Sequence, residues 1–424
     1  MIKKYISAEI PVCDILARGD AGKSGVEETV AAILADVRAN GDEALYRYAE
    51  KFDKVTLSSL EVTEEEIEAA FAQSDAEFIE VMREAASNIE AFHRRQIRNN
   101  FIINDKDGVV LGQKITPIAK VGLYVPGGTA PLPSSVLMNC IPAKLAGVPN
   151  IVMMTPPRRD GTVDPAILAA AKIGGVTKIY KSGGAQAIAA LAYGTETVMA
   201  VDKIVGPGNA FVAEAKKQVF GKVSIDMIAG PSEILVIADG TCDARVVAAD
   251  MLSQAEHDKM ASAILVTDSE ALADAVSMEL ERQIPLLGRS EIARVSIDNN
   301  GKIIITGSLD EAVEISNEIA PEHLEVMVDD PFVYLSKVKN AGSIFLGKNC
   351  PEALGDYFAG TNHVLPTSGT AKFSSPLSVD DFIKKSSFIY YTKDALGEVA
   401  DKVHLFASRE QLGAHAESAV VRFQ

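Results

Sequence analysis

Cysteine is scarce in this chain. Its 424 residues include four, Cys13, Cys140, Cys242 and Cys350, widely scattered and without a CxxC pair. That spacing excludes a disulfide framework and a thiolate metal site, and it makes a reducing cytoplasm the expected compartment. Long apolar runs are missing as well. The opening Met-Ile-Lys-Lys-Tyr-Ile-Ser-Ala-Glu offers none that could serve a signal peptide. Nothing later approaches the roughly 18 apolar residues of a membrane span, so a soluble protein is expected. Positive charge is in deficit too: 41 Lys and Arg face 58 Asp and Glu, a formal net charge of −17. Nucleic acid and anionic membranes are thereby disfavoured as partners, whereas a local pocket for an anionic cofactor remains allowed.

What is present is an ordinary globular composition, 47% hydrophobic and 23% charged, on a chain too long for one core. Two or more domains follow. Residues 24–100 read as helices: Thr63 to Glu66 and Ser74 to Glu77 both have capping-box spacing. Phe78, Met82, Ala85, Ile89, Phe92 and Gln96 then form one stripe at three-to-four spacing. From 121 the period changes. Short apolar strands at 121–125, 151–155, 178–180 and 203–205 alternate with helical stretches, including a turn at Pro126-Gly127-Gly128. A second alternating run starts after Ala229-Gly230-Pro231-Ser232 and continues to about 346. Alternation of this kind means parallel sheets covered on both faces. The Gly/Ser/Thr/Pro-rich stretch 355–379 reads as a long functional loop, and 380–424 as a small helical tail.

Four of the six histidines lie in polar or turn-rich settings: His257, His323, His363 and His415. With Asp356, they supply the groups needed to hold a divalent metal and to move protons near neutral pH. Gln254 and His257 share a helix face and could bridge a metal, although the same spacing suits a polar helix end in water. Glu322-His323 pairs two bases of different pKa, which fits two proton abstractions, but also fits a surface pair. Asp356, bracketed by Gly355 and Tyr-Phe-Ala-Gly, either approaches a ligand or caps a turn. Spaced five apart, Glu410 and His415 need not share a helix face. His93 and His404 lie on amphipathic helices and receive no role. Two strand-to-helix turns, Ser182-Gly183-Gly184-Ala185-Gln186 and Gly206-Pro207-Gly208-Asn209, could present backbone donors to phosphate. The full GxGxxG fingerprint is absent, so neither turn is specific alone.

Together these segments closely resemble histidinol dehydrogenases over essentially the whole chain. The matching stretches are 122–132, 182–196, 205–209, 229–233, Gln-Ala-Glu-His-Asp at 254–258, Ala-Pro-Glu-His-Leu-Glu at 320–325, Leu-Gly-Asp-Tyr at 354–357 and Gly-Thr-Asn-His-Val-Leu-Pro-Thr at 360–367. The resemblance implies NAD-linked oxidation of L-histidinol to L-histidine through L-histidinaldehyde, in the last steps of histidine biosynthesis. It implies one Zn2+ per subunit held by Gln254, His257, Asp356 and His415, and an acid/base pair of Glu322 and His323. Substrate binding falls to Ser232, Gln254, His257, His323, Asp356, His363, Glu410 and His415, and NAD contacts to Tyr124, Gln186 and Asn209. In this reading His323 takes the hydroxyl proton in each oxidation and Glu322 activates the water between them.

The implied α/β architecture is two incomplete Rossmann-like domains with a helical N-terminal region and a small helical C-terminal tail. Residues 1–21 would be an arm, 22–120 plus 233–374 the domain carrying most of the metal and catalytic site, and 121–232 the NAD-binding domain. The tail, 375–424, would be exchanged across a homodimer so that Glu410 and His415 act in the partner's site. Another small primary alcohol as substrate, a zinc hydrolase without nucleotide, and an acidic scaffold are the competing readings. His363 and Glu410 favour histidinol over other alcohols.

Overall fold

The computed structural model describes residues 2–11, 25–127 and 131–424. Cys13, most of the expected N-terminal arm and Gly128 of the turn at 126–128 therefore lie outside the described residues. Strands run in chain order as β1 (Lys3–Ile6), β2 (Phe101–Ile103), β3 (Val109–Pro117), β4 (Lys120–Tyr124), β5 (Asn150–Thr155), β6 (Lys178–Lys181), β7 (Lys203–Val205) and β8 (Ser224–Ile225). They continue as β9 (Glu233–Ala238), β10 (Ser262–Thr267), β11 (Lys302–Ile305), β12 (His323–Met327), β13 (Ser343–Leu346) and β14 (Ile383–Tyr391).

Two parallel sheets organise the molecule, as the alternating pattern predicts. One has five strands in the order β6-β5-β4-β7-β8, the other six in the order β1-β11-β10-β9-β12-β13. Central strands such as Glu-Ile-Leu-Val-Ile-Ala (233–238) are almost wholly apolar because helices bury both their faces. The helix Gly184–Tyr193 places Ala185, Ala187, Ala189, Ala190 and Ala192 in the core of the five-stranded sheet. Small side chains let the long helix Glu27–Tyr48 approach closely, contributing Val30, Ile33, Leu34 and Val37 to the same core. A larger side chain at Ala189 would overpack this contact at a cost of about 1–3 kcal/mol.

Several expectations need correction. The helices Glu27–Tyr48, Glu64–Gln73 and Ala76–His93 pack on the five-stranded sheet, not on the six-stranded one with which 22–120 was grouped. Their apolar faces cover the helices Gly184–Tyr193, Pro165–Gly174 and Pro133–Leu145, which are largely buried as a result. Thr63 and Glu66 do form the reciprocal capping box. Ser74, however, ends its helix, and Asp75 caps the next one by accepting from the Glu77 N–H. On that helix Ile79 and His93 face inward while Phe78 and Phe92 stay exposed, one position off the predicted stripe. His93 bonds Gln96 and faces Asn362, a buried structural role.

The tail is not purely helical. Strand β14 pairs antiparallel with β3, which pairs with β2, before the helices Lys393–Arg409 and Gly413–Val420. Most β14 side chains are exposed, so no apolar alternation announces the strand. Asp356 also sits in a short helix, Glu352–Tyr357, rather than in a loop. Among the described residues no helix is long and apolar enough to cross a membrane.

Candidate active site

The catalytic candidates gather at the amino edge of the six-stranded sheet. His323 is the first residue of β12 and pairs with Ile234, so Glu322 and His323 lie beside Ser232 and Glu233 at the start of β9. The Glu322 carboxylate accepts the Glu233 backbone N–H at 2.9 Å. His323 Nδ1 lies 3.0 Å from the Glu233 carbonyl oxygen. A carbonyl can only accept, so Nδ1 carries a hydrogen in either charge state of the ring, and Nε2 is the atom that gains or loses the titrating proton. That Nε2 is buried and has no hydrogen-bond partner. It faces Asp356 Oδ1 at 3.8 Å and Glu352 Oε1 at 3.9 Å.

Asp356 and Glu352 come from one helix, four residues apart, and so share a face. Ser253 donates to Glu352 Oε2 at 2.8 Å, tying that helix to Ala244–Ala255. Gln254 occupies the last turn of Ala244–Ala255, buried, with its amide Nε2 unpartnered. His257 follows just beyond. His363, from the long loop, donates through Nδ1 to the Asp356 carbonyl oxygen at 3.1 Å. Its Nε2 lies 3.3 Å from the Ser135 hydroxyl on the helix Pro133–Leu145, which packs on the other sheet. The loop closes over the edge: the Gly230 N–H bonds Thr367, and the Ser368 N–H bonds Glu233.

Burial and crowding set the charges. Burial pushes the Glu322 carboxyl up to about 8, despite the cationic His323 beside it. For His323, burial works against the charged ring, but Glu322, Asp356 and Glu352 outweigh it and push it up to about 10. Near neutral pH the Glu322–His323 pair therefore retains a proton that neither would hold alone in water. Burial would raise Asp356, but His323 and His363 hold it down to about 2. Burial lowers His257 and His363, which favours neutral imidazoles. Behind this front, Glu325 and Asp250 form a buried carboxyl pair pushed up by burial to about 9 and about 6. Glu325 accepts the Glu352 backbone N–H at 2.7 Å.

The donors present suit a metal. One donor atom each from His323, Glu352 and Asp356 lies within 4.8 Å of the others. Two buried acceptor atoms at this edge, His323 Nε2 and Glu352 Oε1, lack partners; the Gln254 amide nitrogen does too, and that amide would offer an ion its oxygen. Mixed imidazole, carboxylate and amide donors match a borderline divalent ion such as zinc. Of the expected ligands, Gln254, His257 and Asp356 assemble at this edge. His415 and Glu410 do not: both are exposed on the hairpin of helices at the tail. Glu352 escaped the sequence reading, although its spacing from Asp356 was the available signal.

A second site opens at the carboxyl edge of the five-stranded sheet. Tyr124 ends β4, Gln186 lies in the first turn of Gly184–Tyr193, and Asn209 caps Ala210–Val219 by accepting from Phe211 and Val212. All three line one cavity of about 300 Å³. The Tyr124 hydroxyl accepts the Gly184 N–H at 3.0 Å. Gly206 has φ +116°, and a Cβ there would collide with the Tyr124 carbonyl oxygen, so only glycine fits. The turn is locked from behind by a fully buried ion pair, Lys216 with Asp226, which also bonds the Gly206 carbonyl and N–H. Phe52 and Asp53 line the same cavity, and no sequence motif marked either.

A parallel-sheet pocket at the start of two helices, together with a buried His/carboxylate cluster on a second sheet, is the arrangement of an α/β oxidoreductase, and comparison with known proteins agrees. Residues 16–423 match the family model for histidinol dehydrogenase. The chain is 57% identical to the histidinol dehydrogenase of Clostridium acetobutylicum over 405 residues, covering 95% of this chain and 94% of that one. Its counterpart in Geobacillus kaustophilus is also 57% identical, over 95% of this chain and 96% of its own. The crystal structure of histidinol dehydrogenase from Elizabethkingia anophelis superposes with a TM-score of 0.95 at 41% identity, covering 100% of this chain and 98% of that one. The chain belongs to the histidinol dehydrogenase family.

Proposed function

We propose that the chain oxidises L-histidinol to L-histidine through L-histidinaldehyde, in the cytoplasm, with NAD+ in the Tyr124–Gln186–Asn209 cavity and zinc at the amino edge. When bound, zinc supplies a Lewis-acid template and NAD+ accepts the hydride. Gln254, His257 and Asp356 of one subunit and His415 of its dimer partner would hold the ion. The carrying observation is His323: its Nδ1–H is committed to the Glu233 carbonyl, so Nε2 is the base, buried and aimed into the carboxylate cluster. His323 Nε2 takes the substrate hydroxyl proton in the first oxidation and a hydrate hydroxyl proton in the second. Glu322 in its ionised form, made a stronger base by the burial that pushes it up to about 8, takes a proton from the water that attacks the aldehyde. Ser232 and His363 flank this edge as substrate contacts, and the loop carrying His363 shields the aldehyde from bulk water.

NADH absorbance on adding histidinol, against a panel of primary alcohols, tests the reading directly. Turnover should require histidinol, vanish on chelation and return with zinc, and His257→Asn should lower bound metal. Activity in rigorously metal-free protein, or equal rates with unrelated alcohols, overturns it.

The tail supports a shared dimeric site. Glu410 and His415 are exposed, and on the same helical hairpin Leu405 and Phe406 present apolar surface at 60% and 70% exposure. Mixed subunits of inactive His323→Asn and inactive His415→Asn should regain activity, because one site per mixed dimer is intact. No recovery despite confirmed exchange assigns the tail to its own subunit.

A further inference from the structure

Asp53 is a half-buried acid lining the cavity at the carboxyl edge of the five-stranded sheet, and no catalytic role uses it. It ends a π-helical turn, Ala49–Asp53, closed by Lys54 in the left-handed region at φ 60°. Turns of this kind disrupt the regular helical ladder and recur at functional sites. The turn delivers Asp53 to the cavity lined by Tyr124, Gln186 and Asn209. It lies close enough to Tyr124 for its charge to act on the phenol. Oδ2 is buried and accepts no hydrogen bond from the protein. Burial pushes the carboxyl up to about 6, as expected for an acceptor without a donor.

We propose that Asp53 binds the ribose hydroxyls of the adenosine half of the dinucleotide, and thereby selects a free 2′-hydroxyl over a 2′-phosphate. The assignment rests on the NAD+ reading above and specifies it further. A carboxylate is acceptor-only, so its natural partner is a pair of hydroxyl donors, which a ribose diol supplies. It cannot serve the diphosphate, whose charge it repels. That group has a better partner in the start of Gly184–Tyr193, where no side chain caps the helix and the partial positive charge of the helix end favours an anion. Among the described residues lining the cavity, none is Lys, Arg or His. Among those lining residues a 2′-phosphate would therefore meet a carboxylate and no cation, the Lys51 ammonium being stacked over the Phe52 ring, 5.2 Å from its centroid.

Calorimetric titration of the full-length protein with NAD+, 2′-deoxy-NAD+ and NADP+ tests this by binding rather than turnover. The unaltered protein should bind NAD+ roughly 10-fold or more tighter than the 2′-deoxy analogue, the worth of a hydrogen bond to a charged acceptor. It should reject NADP+ more strongly still. Asp53→Asn, checked for an unchanged circular dichroism spectrum and melting temperature, should bring all three affinities within a few-fold of one another. Equal binding of NAD+ and its 2′-deoxy analogue by the unaltered protein overturns the proposal without any variant. Discrimination that survives Asp53→Asn overturns it as well. Failure of the unaltered protein to bind any dinucleotide is a different result, which removes the NAD+ reading and this assignment with it.

Discussion

The two parallel sheets use opposite edges. The five-stranded sheet presents its carboxyl edge, where Gly183-Gly184 and Gly206–Asn209 lead into the starts of two helices. The six-stranded sheet presents its amino edge, where β9 and β12 begin and the helix Ala244–Ala255 ends. A helix start carries partial positive charge and a helix end partial negative charge. The proposed function follows that polarity: it places the anionic diphosphate at the first edge and the cation at the second, where Gln254 and His257 stand at a helix end among carboxylates. The same parallel architecture thus hosts two chemistries because it is read from opposite ends.

If the amino edge carries chemistry and the carboxyl edge carries binding, substitutions should separate in kcat and KM. The largest effect belongs to His323. His323→Asn should lower turnover of both histidinol and the aldehyde by about 10²–10⁴-fold, the worth of a general base. Glu322→Gln should lose the aldehyde step by a similar factor while retaining much of the alcohol step, measured by supplying each substrate separately. Equal loss on both substrates would make Glu322 an electrostatic support instead. Next comes Glu352, which touches both Ser253 and the His323 face. Glu352→Gln keeps the bond to Ser253 and removes a charge beside Asp356. Metal affinity, read by chelator competition, should fall about 10–100-fold, as for other supporting groups around a metal. An unchanged affinity would show that Glu352 only packs.

On the carboxyl edge, Gly206→Ala forces a Cβ against the Tyr124 carbonyl oxygen. It should raise the cofactor KM roughly 10-fold by displacing the turn, with kcat much less affected. A drop in kcat at saturating cofactor would break the division between edges. The smallest effect is on stability. Burial raises Glu325 and Asp250 to about 9 and about 6, so the folded chain holds protons that the unfolded chain releases. Stability is therefore lost as pH rises from the ordinary carboxyl range, about 4, toward 9. Glu325→Gln removes one such proton, so its melting temperature should fall less between pH 6 and 9, by about 1–3 °C. Parallel pH profiles would locate the strain elsewhere.

Much of this was legible in the sequence. Strand-helix alternation from 121 to 346 specified two parallel sheets, because a strand buried on both faces must be apolar throughout. Gly206 and Asn209 announced a strand-to-helix turn through their backbone chemistry, and Thr63 with Glu66 announced a cap. Those features depend on neighbours a few residues away. Strand β14 did not announce itself: its partner β3 is distant in sequence and its side chains are mostly solvent-facing.

Residue types, turn chemistry and the order of elements were thus set locally, by periodicity and backbone preference. Only the tertiary structure decided which sheet edge each site occupies, since that depends on how strands far apart in the chain register: His323 against Ile234 on one sheet, Val121 against Lys203 on the other. It alone decided the charge states as well. Glu322 and Asp53 are ordinary carboxyls in sequence, and burial raises both. For Glu322, the burial and the opposing charges come together only when strand, helix and loop segments converge, because desolvation and Coulomb forces act through space rather than along the chain.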